Sequence, residues 1–274
     1  MHRSRPAALA VVAFVALTAL AACGGRQSPP PDDAPADAVA LFEATMTRAE
    51  AIGSVRAIGD VEYYGDDGRV RIRQVVLARA PGDVRIEAIS PFDTTLSVLV
   101  LNESELAWYD VSNETFATGA PTTANLARIA PLVLSPEDIV RVMRGGPPLE
   151  VVDPDLDTWS MAWDGDDDRW ALIAPTIDGG TLTLHVEHGS WVLSGARLRD
   201  ADGETVFELR TGNFIDVRGD AVDTIMPSRI RFLMPAHDVD VSLDIERWQL
   251  DPDLADPLFE LAAPREIEVI SLDP

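Results

Sequence analysis

The chain has 274 residues, 46% of them hydrophobic and 25% charged, a globular composition that excludes disorder along its whole length. It carries 46 acidic residues against 22 basic ones, every one of the latter an arginine, for a net charge of −24. That balance excludes nucleic-acid binding and electrostatic docking on an anionic membrane surface, since the few cations are outnumbered everywhere phosphates would need them. A single cysteine excludes a disulfide framework and any multi-cysteine zinc site.

His2, Arg3 and Arg5 precede an apolar run from Ala7 to Ala22 that contains no acid and ends in small residues. This is the pattern of a secretory signal peptide. The run, about 16 residues, is short for a membrane span of about 20. Its end, Leu20-Ala21-Ala22-Cys23, resembles the bacterial lipobox. The resemblance implies that the Cys23 thiol receives a diacylglycerol group, that the chain is cut before Cys23, and that the new amine is N-acylated. Several acyl chains at about 0.8 kcal/mol per buried CH₂ make a firm anchor. Gly24 stands where an aspartate would retain a Gram-negative lipoprotein in the inner membrane, so the resemblance implies lipid attachment at the periplasmic face of the outer membrane. From Gly24 to Pro35 the composition, GGRQSPPPDDAP, is that of an extended semi-rigid tether. The expected division is therefore 1–22 signal peptide, 23–35 lipidated cysteine and tether, and 36–274 a folded domain.

Pro35 to Ile52 has Val39, Phe42, Met46, Ala49 and Ile52 at helical steps, with Pro35 in the first turn. The period then changes to two. Val55–Tyr64 and Arg69–Arg79 flank Gly65-Asp66-Asp67-Gly68, a hairpin turn by composition. Val84–Ile89, Leu96–Leu101, Leu106–Val111 and Thr115–Thr118 continue an antiparallel meander. Two short helices interrupt it, Thr123–Ile129 and a second opened by Ser135-Pro136-Glu137 that runs to Met143. A second strand series comes next: Thr158–Trp163, Trp170–Ala174, Gly180–Glu187, Trp191–Leu198, Thr205–Arg210, Phe214–Val217, Ser228–Leu233 and Val239–Trp248. The expected class is mainly β (α+β). It is one unclosed, strongly curved antiparallel barrel of roughly eleven strands (up to fourteen by this count), with helices over its open face.

No catalytic constellation is found: there is no G-x-S-x-G, H-E-x-x-H or Gly-rich phosphate loop. His185 and His188, three apart, fall on opposite faces of a strand and read as ordinary strand and turn residues; His237 reads as a turn residue. Asp164-Gly165-Asp166-Asp167-Asp168 lacks the later glycine and closing glutamate of an EF-hand loop and reads as a tight turn. Asn102 and Asn113 match the N-x-S/T pattern, which in a bacterial lipoprotein carries little expectation of glycans. No metal, cofactor or enzymatic activity is expected.

The order of lipobox, tether, helix, strand meander, helices and second strand series resembles the LolA/LolB family. Ser90-Pro91-Phe92-Asp93-Thr94-Thr95-Leu96 is similar to the family's loop of proline, large apolar residue, glycine and polar residues. The resemblance implies that Phe92 takes the place of the apolar residue that LolB-type members use at the membrane, with Asp93 replacing the glycine. Leu126–Met143, including Pro131-Leu132, is similar to the family's lid, and Phe259-Glu260-Leu261-Ala262-Ala263-Pro264 to its closing motif. The family fold implies an unclosed barrel with a helical lid over an apolar cavity for lipoprotein acyl chains. Inward candidates are Val84, Ile86, Leu96, Val98 and Val100, with Ile139 and Met143 from the lid. Two readings stand at this stage. In one, the protein is a lipid or lipoprotein carrier-receptor whose partners are acyl chains or a periplasmic carrier protein, with Phe92 engaging the bilayer. In the other, it is a structural or assembly lipoprotein with a packed interior that binds a periplasmic protein through its surface.

Overall fold

Alternating apolar and polar residues demand a sheet with one dry face, and the described residues supply fourteen strands to build it. A computed structural model describes residues 27–65, 68–130, 132–219 and 223–273. The lipobox and Cys23 lie outside the described residues, as do Asp66, Asp67 and Pro131. The strands are β1 (Ser54–Gly65), β2 (Gly68–Arg79), β3 (Asp83–Ile89), β4 (Thr95–Leu101), β5 (Leu106–Asp110), β6 (Thr115–Gly119), β7 (Ser160–Asp164), β8 (Arg169–Pro175), β9 (Thr181–Glu187), β10 (Leu193–Arg199), β11 (Thr205–Arg218), β12 (Asp223–Met234), β13 (Val239–Leu250) and β14 (Val269–Ser271). They form a single curved sheet in the order β14-β6-β5-β4-β3-β2-β1-β13-β12-β11-β10-β9-β8-β7. The end strands β14 and β7 do not meet, so the barrel is unclosed. All pairs are antiparallel except β14 with β6, which is parallel. Every described strand and helix lies within residues 27–273, and together they build one sheet and its cover.

Pairing fixes which side chains face inward. Ala57, Val76, Ile86, Leu99, Trp108 and Ala117 form one row across β1 to β6. On the other wing Leu172, Leu184, Ala196, Leu209 and Phe232 continue the same dry face across β8 to β12. One buried apolar cluster runs the width of this face and takes in residues from the three α-helices among the described residues.

Helix α1 (Ala38–Glu50) lies over β8, with Leu41, Thr45 and Ala49 buried and Phe42 edge-on to Trp159 at 4.7 Å. It begins three residues later than Pro35 because Asp37 caps it, its carboxylate accepting from the Ala40 N–H at 2.8 Å. Helix α2 (Thr123–Ala127) is capped by Thr122 and buries Leu126. Helix α3 (Pro136–Met143) starts as expected, with Ser135 accepting from the Asp138 N–H and Pro136 in the first turn. It packs on β2 and β3, and buried Asp138 accepts from the Leu149 and Glu150 N–H groups, pinning the chain that leads to β7.

Three features differ from the expectation. The segments 205–210 and 214–217 are one strand: the intervening Asn213 takes a left-handed conformation (φ 52°), so pairing resumes beyond it instead of turning back. Strand β14 is three residues long and pairs in parallel, which leaves no alternation to read. In β13 the inward alternation Val241, Leu243, Ile245 breaks at a bulge opposite Ile58 and Gly59, after which Trp248 and Leu250 face inward. Gly59 permits the bulge, since a Cβ there would stand 2.2 Å from the Asp244 carbonyl oxygen.

The outer face carries a ladder of arginine–carboxylate pairs across β10 to β13 and β1 to β2. Arg231 donates to Asp240 at 2.8 Å and Arg229 to Asp244 at 2.6 Å. Arg210 and Arg197 share Glu208, while Arg71 and Arg69 hold Asp60 and Glu62. The guanidiniums hold Asp240, Asp244 and Glu208 below the usual carboxylate range, chiefly through these hydrogen bonds. Beside the ladder, Leu254 and Phe259 from the C-terminal segment seal a second apolar cluster of Leu77, Val98 and Val100. Arg79 fastens this strap: it donates to the Leu254 carbonyl at 2.7 Å and lies 4.7 Å from the Phe259 ring centroid.

These contacts set two expectations for stability. Gly59→Ala should lower it by about 2 kcal/mol or more in urea unfolding, because the methyl meets backbone that cannot give way. The folded pKa values of Asp240, Asp244 and Glu208 are depressed, so the ladder contributes stability at neutral pH that is lost as pH falls below about 4. Urea midpoints measured between about pH 6 and 3 should fall, and Asp240→Asn with Asp244→Asn should flatten that dependence.

Candidate lipid-binding cavity and its rim

The inner face is not filled everywhere. Between β1–β5, β12, β13 and the segment after α2 lies a cavity of about 580 Å³. Its floor is Ile86, Leu99 and Trp108; Val61, Tyr63, Val70 and Ile72 rise from β1 and β2 toward the hairpin end. Phe232 and Val241 close one side, and Ile129, Ala130 and Leu132, directly after α2, form the roof. Two polar side chains, Gln74 and Ser97, complete the wall; among the described residues no charged side chain lines it. The volume falls in the range of small-molecule sites, about 300–1,000 Å³, and the lining is apolar as such sites are.

The roof is tied to the C-terminus. Asp273 accepts from the Asn125 side chain at 2.8 Å and the Ala120 N–H at 2.9 Å, and Arg128 donates to the Leu272 carbonyl. The Ala120 N–H is the main reason the Asp273 carboxyl sits below its usual range. These contacts set the lid on the edge that β14 covers.

Successive antiparallel strands place the β1–β2, β3–β4 and β12–β13 turns at one rim of the barrel, and the β2–β3, β7–β8 and β9–β10 turns at the other. Phe92, in the β3–β4 turn, is 89% exposed. Its loop is ordered from within: Ser90 accepts at Oγ from the Phe92 and Thr94 N–H groups, and its N–H donates to the Thr94 carbonyl at 2.8 Å. Asp93 occupies the left-handed region (φ 59°) that a glycine would take without cost and that aspartate takes more readily than most residues. The cavity rises toward this rim, where Tyr63 and Val70 stand near the hairpin end.

The expected inward residues divide by strand parity. Ile86 lines the cavity. Val84 shares its face but is fully buried one row deeper, and Ile139 and Met143 are buried in the core where α3 packs. Val98 and Val100 are corrected: they face outward and are buried beneath Leu254 and Phe259. Leu96 falls at the register shift between the Ala88 and Ile89 pairs, without a partner on β3, and is not among the residues that line the cavity. In β4 the run Leu-Ser-Val-Leu-Val-Leu is apolar on both faces because both are covered, so alternation alone does not assign the sides. The pairing of Ile86 with Leu99 assigns them, and leaves Ser97, the one polar residue of the run, on the inner face. Sequence reasoning does not reach Trp108, Tyr63, Ile72, Ile129 and Leu132; the signal for them is register with Ile86 and proximity to the lid.

The acidic turn serves the tether. Ser28 donates its N–H to the Gly165 carbonyl, and its hydroxyl is shared between that carbonyl and Asp168. Gln27 donates to Asp166 at 3.2 Å, and the Trp163 indole donates to the Ser28 carbonyl at 2.9 Å. Asp33 reaches His188 at 3.1 Å. Among the described residues no group of acids or histidines is arranged to hold a metal ion. His185 faces outward, half-buried, with burial lowering its pKa, and His237 lies in the β12–β13 turn. Asn102 spends its carboxamide on the strap, donating to the Phe259 carbonyl at 2.9 Å.

An unclosed, curved β-sheet with an apolar cavity on its inner face and short helices over it defines the class of fold. The chain has the fold of the LolA superfamily. It is similar to a LolA superfamily protein from Nitrosomonas europaea (TM-score 0.54, 16% identity, covering 82% of this chain and 98% of that one). It is equally similar to a DUF1329 family protein from Desulfovibrio piger (TM-score 0.55, 13% identity, 81% and 97%). A third likeness is to a domain described as a putative outer membrane lipoprotein-sorting protein from Vibrio parahaemolyticus (TM-score 0.54, 11% identity, 81% and 97%). No protein-family model and no curated protein sequence matches the chain.

The Phe92 loop yields a direct test. Asp93→Gly should leave stability unchanged or raise it by about 0.5–1 kcal/mol, whereas Asp93→Val, a β-branched residue forced to positive φ, should lower it by about 1–2 kcal/mol in thermal melts.

Proposed function

We propose that the protein is a lipid-anchored lipoprotein of the outer membrane, facing the periplasm, that takes an acyl chain of a lipid or lipoprotein into the cavity beneath the segment that follows α2. Phe92 then meets the receiving membrane. The reading rests on one observation above all: an apolar, uncharged cavity that opens toward the rim bearing an 89% exposed phenylalanine. Exposing a large aromatic ring at the tip of an internally ordered turn costs solvation with no compensating contact, and insertion into a bilayer recovers it. The anchor is read from the lipobox at Cys23, and the sorting role from likeness to the domain from Vibrio parahaemolyticus. Nothing in the cavity has the makings of catalysis, since its polar groups are one amide, two hydroxyls and an indole.

The test uses residues 27–274 without the anchor. The protein secreted to the periplasm should carry a lipid or lipoprotein through purification, detected by native mass spectrometry. Ile72→Glu, which places a charge in the cavity wall, should abolish that cargo, whereas Val98→Ala, on the outer face, should keep it. Phe92→Ser should retain cargo but slow its transfer to vesicles about tenfold or more. A ligand-free protein that also refuses added lipidated peptide would sink the carrier reading and leave the assembly-lipoprotein alternative.

A further inference from the structure

We infer that the β8–β9 turn is a second membrane contact, carried by Ile177 beside Val151, and that it engages a lipid surface of no net charge. The inference rests on the reading of Phe92 above and extends it to the opposite wing of the sheet.

Strand direction places the β8–β9 turn at the rim that bears Phe92, with β2, β1, β13, β12, β11 and β10 standing between β3 and β9. Ile177, at the tip of this turn, is 68% exposed, more than any other large hydrophobic side chain among the described residues except Phe92. Val151 is exposed beside it, and its carbonyl accepts from the Ile177 N–H at 3.0 Å. A bridge between Val152 and Thr176 braces the turn against the chain that leaves α3.

The Phe92 and Ile177 turns are built alike. Ser90 and Thr176 each donate an N–H to the carbonyl four residues on, of Thr94 and Gly180, and accept the N–H of that same residue at the side-chain hydroxyl. Their carbonyls accept from Asp93 and Gly179, both at 3.0 Å, and both of those residues are left-handed (φ 59° and 81°). The β10–β11 turn repeats the pattern on Asp200, with Gly203 left-handed, yet its tip is Ala201-Asp202. The turn itself therefore does not call for an apolar tip. Two of the three nonetheless hold a large apolar side chain in water on ordered backbone, at a solvation cost that contact with lipid removes.

Charge and spacing select the partner. Asp93 and Asp178 flank the two tips, and Asp202 and Asp238 stand exposed on turns between them. These acids repel anionic headgroups and leave a surface of zwitterionic ones as the favoured partner. A protein partner buries a continuous apolar patch, whereas here the apolar tips are set apart on separate turns with acids between. A fluid bilayer takes up each tip by itself.

Residues 27–274 contain no cysteine, so Phe92→Cys, Ile177→Cys and Ile215→Cys each accept one nitrobenzoxadiazole label. Ile215 is exposed on β11 toward the opposite rim and serves as the control. Vesicles of dioleoylphosphatidylcholine should brighten the labels at 92 and 177 and leave that at 215 unchanged. Adding Ile177→Ser to the labelled Phe92→Cys protein should raise the lipid needed for the half-maximal response about tenfold. An equal share of dioleoylphosphatidylglycerol in the vesicles should weaken both responses at low salt, and added salt should restore them. A silent label at 177 with a response at 92, or an unchanged lipid requirement in the Ile177→Ser protein, overturns the inference, keeps Phe92 as a membrane contact and leaves the β8–β9 turn to a protein partner. A stronger response on the anionic vesicles overturns the choice of a neutral surface. Silence at both 92 and 177 overturns the reading of Phe92 and this inference with it.

Discussion

The pairing register at the centre of the sheet governs the rest of the molecule. Because β1 pairs with both β2 and β13, its parity decides which side chains of two wings face inward, and a slip of one residue would turn the apolar row from Ala57 to Ala117 outward. The bulge at Gly59 changes that parity once, within β13, so that Leu243 and Ile245 on one side of it and Trp248 and Leu250 on the other all reach the same dry face. The sheet can therefore curl while keeping its interior apolar. Since its ends do not meet, that interior has to be covered by something other than strands, and three helices supply the cover.

They do not supply all of it. Helix α1 serves the wing from β8, and α3 the deep part of β2 and β3, but α2 is only five residues long. Irregular chain beyond its last turn spans the remaining opening, and the cavity is the space left beneath. The outer face is treated differently on its two halves. Where arginines and carboxylates alternate across strands, charge pairs keep the surface in water; where β4 is apolar on both sides, the strap around Phe259 covers it. A strand buried on both faces in an otherwise one-sided sheet thus requires the C-terminal extension, and that extension goes on to close the sheet edge as β14 and to hold the lid through Asp273.

Much of this is legible from residues. The hairpin around Gly65 and Gly68, the Ser135-Pro136 helix start and the strand meanders arise from local turn, cap and period signals, which act over a few residues. Their order carries the fold class. The concealed parts depend on distant partners. The parity of β4 is set by β3, the identity of β14 by an edge more than a hundred residues earlier, and the start of α1 by a competition between Pro35 and the stronger cap at Asp37. The continuity of β11 through Thr-Gly-Asn is hidden because turn-forming residues also make bulges. Whether an apolar face encloses space or is filled is a question of packing, and composition does not carry it. Hence alternation offers Val98 and Val100 for the interior while the neighbouring Leu99 is the residue that lines the cavity.

The docking of Ser28 on the β7–β8 turn gives the molecule a mooring point. Cys23 lies four residues before Gln27, and a chain extends at most about 3.6 Å per residue, so a lipid carried there holds that rim within about 14 Å of the bilayer. Phe92 belongs to the opposite rim. On the proposed anchoring, the docked tether would turn the Phe92 rim away from the bilayer, and Phe92 would reach lipid only once the contacts of Gln27, Ser28 and Asp33 were given up. One short polar segment, held by a serine and a few carboxylates, would then set the direction in which the domain points.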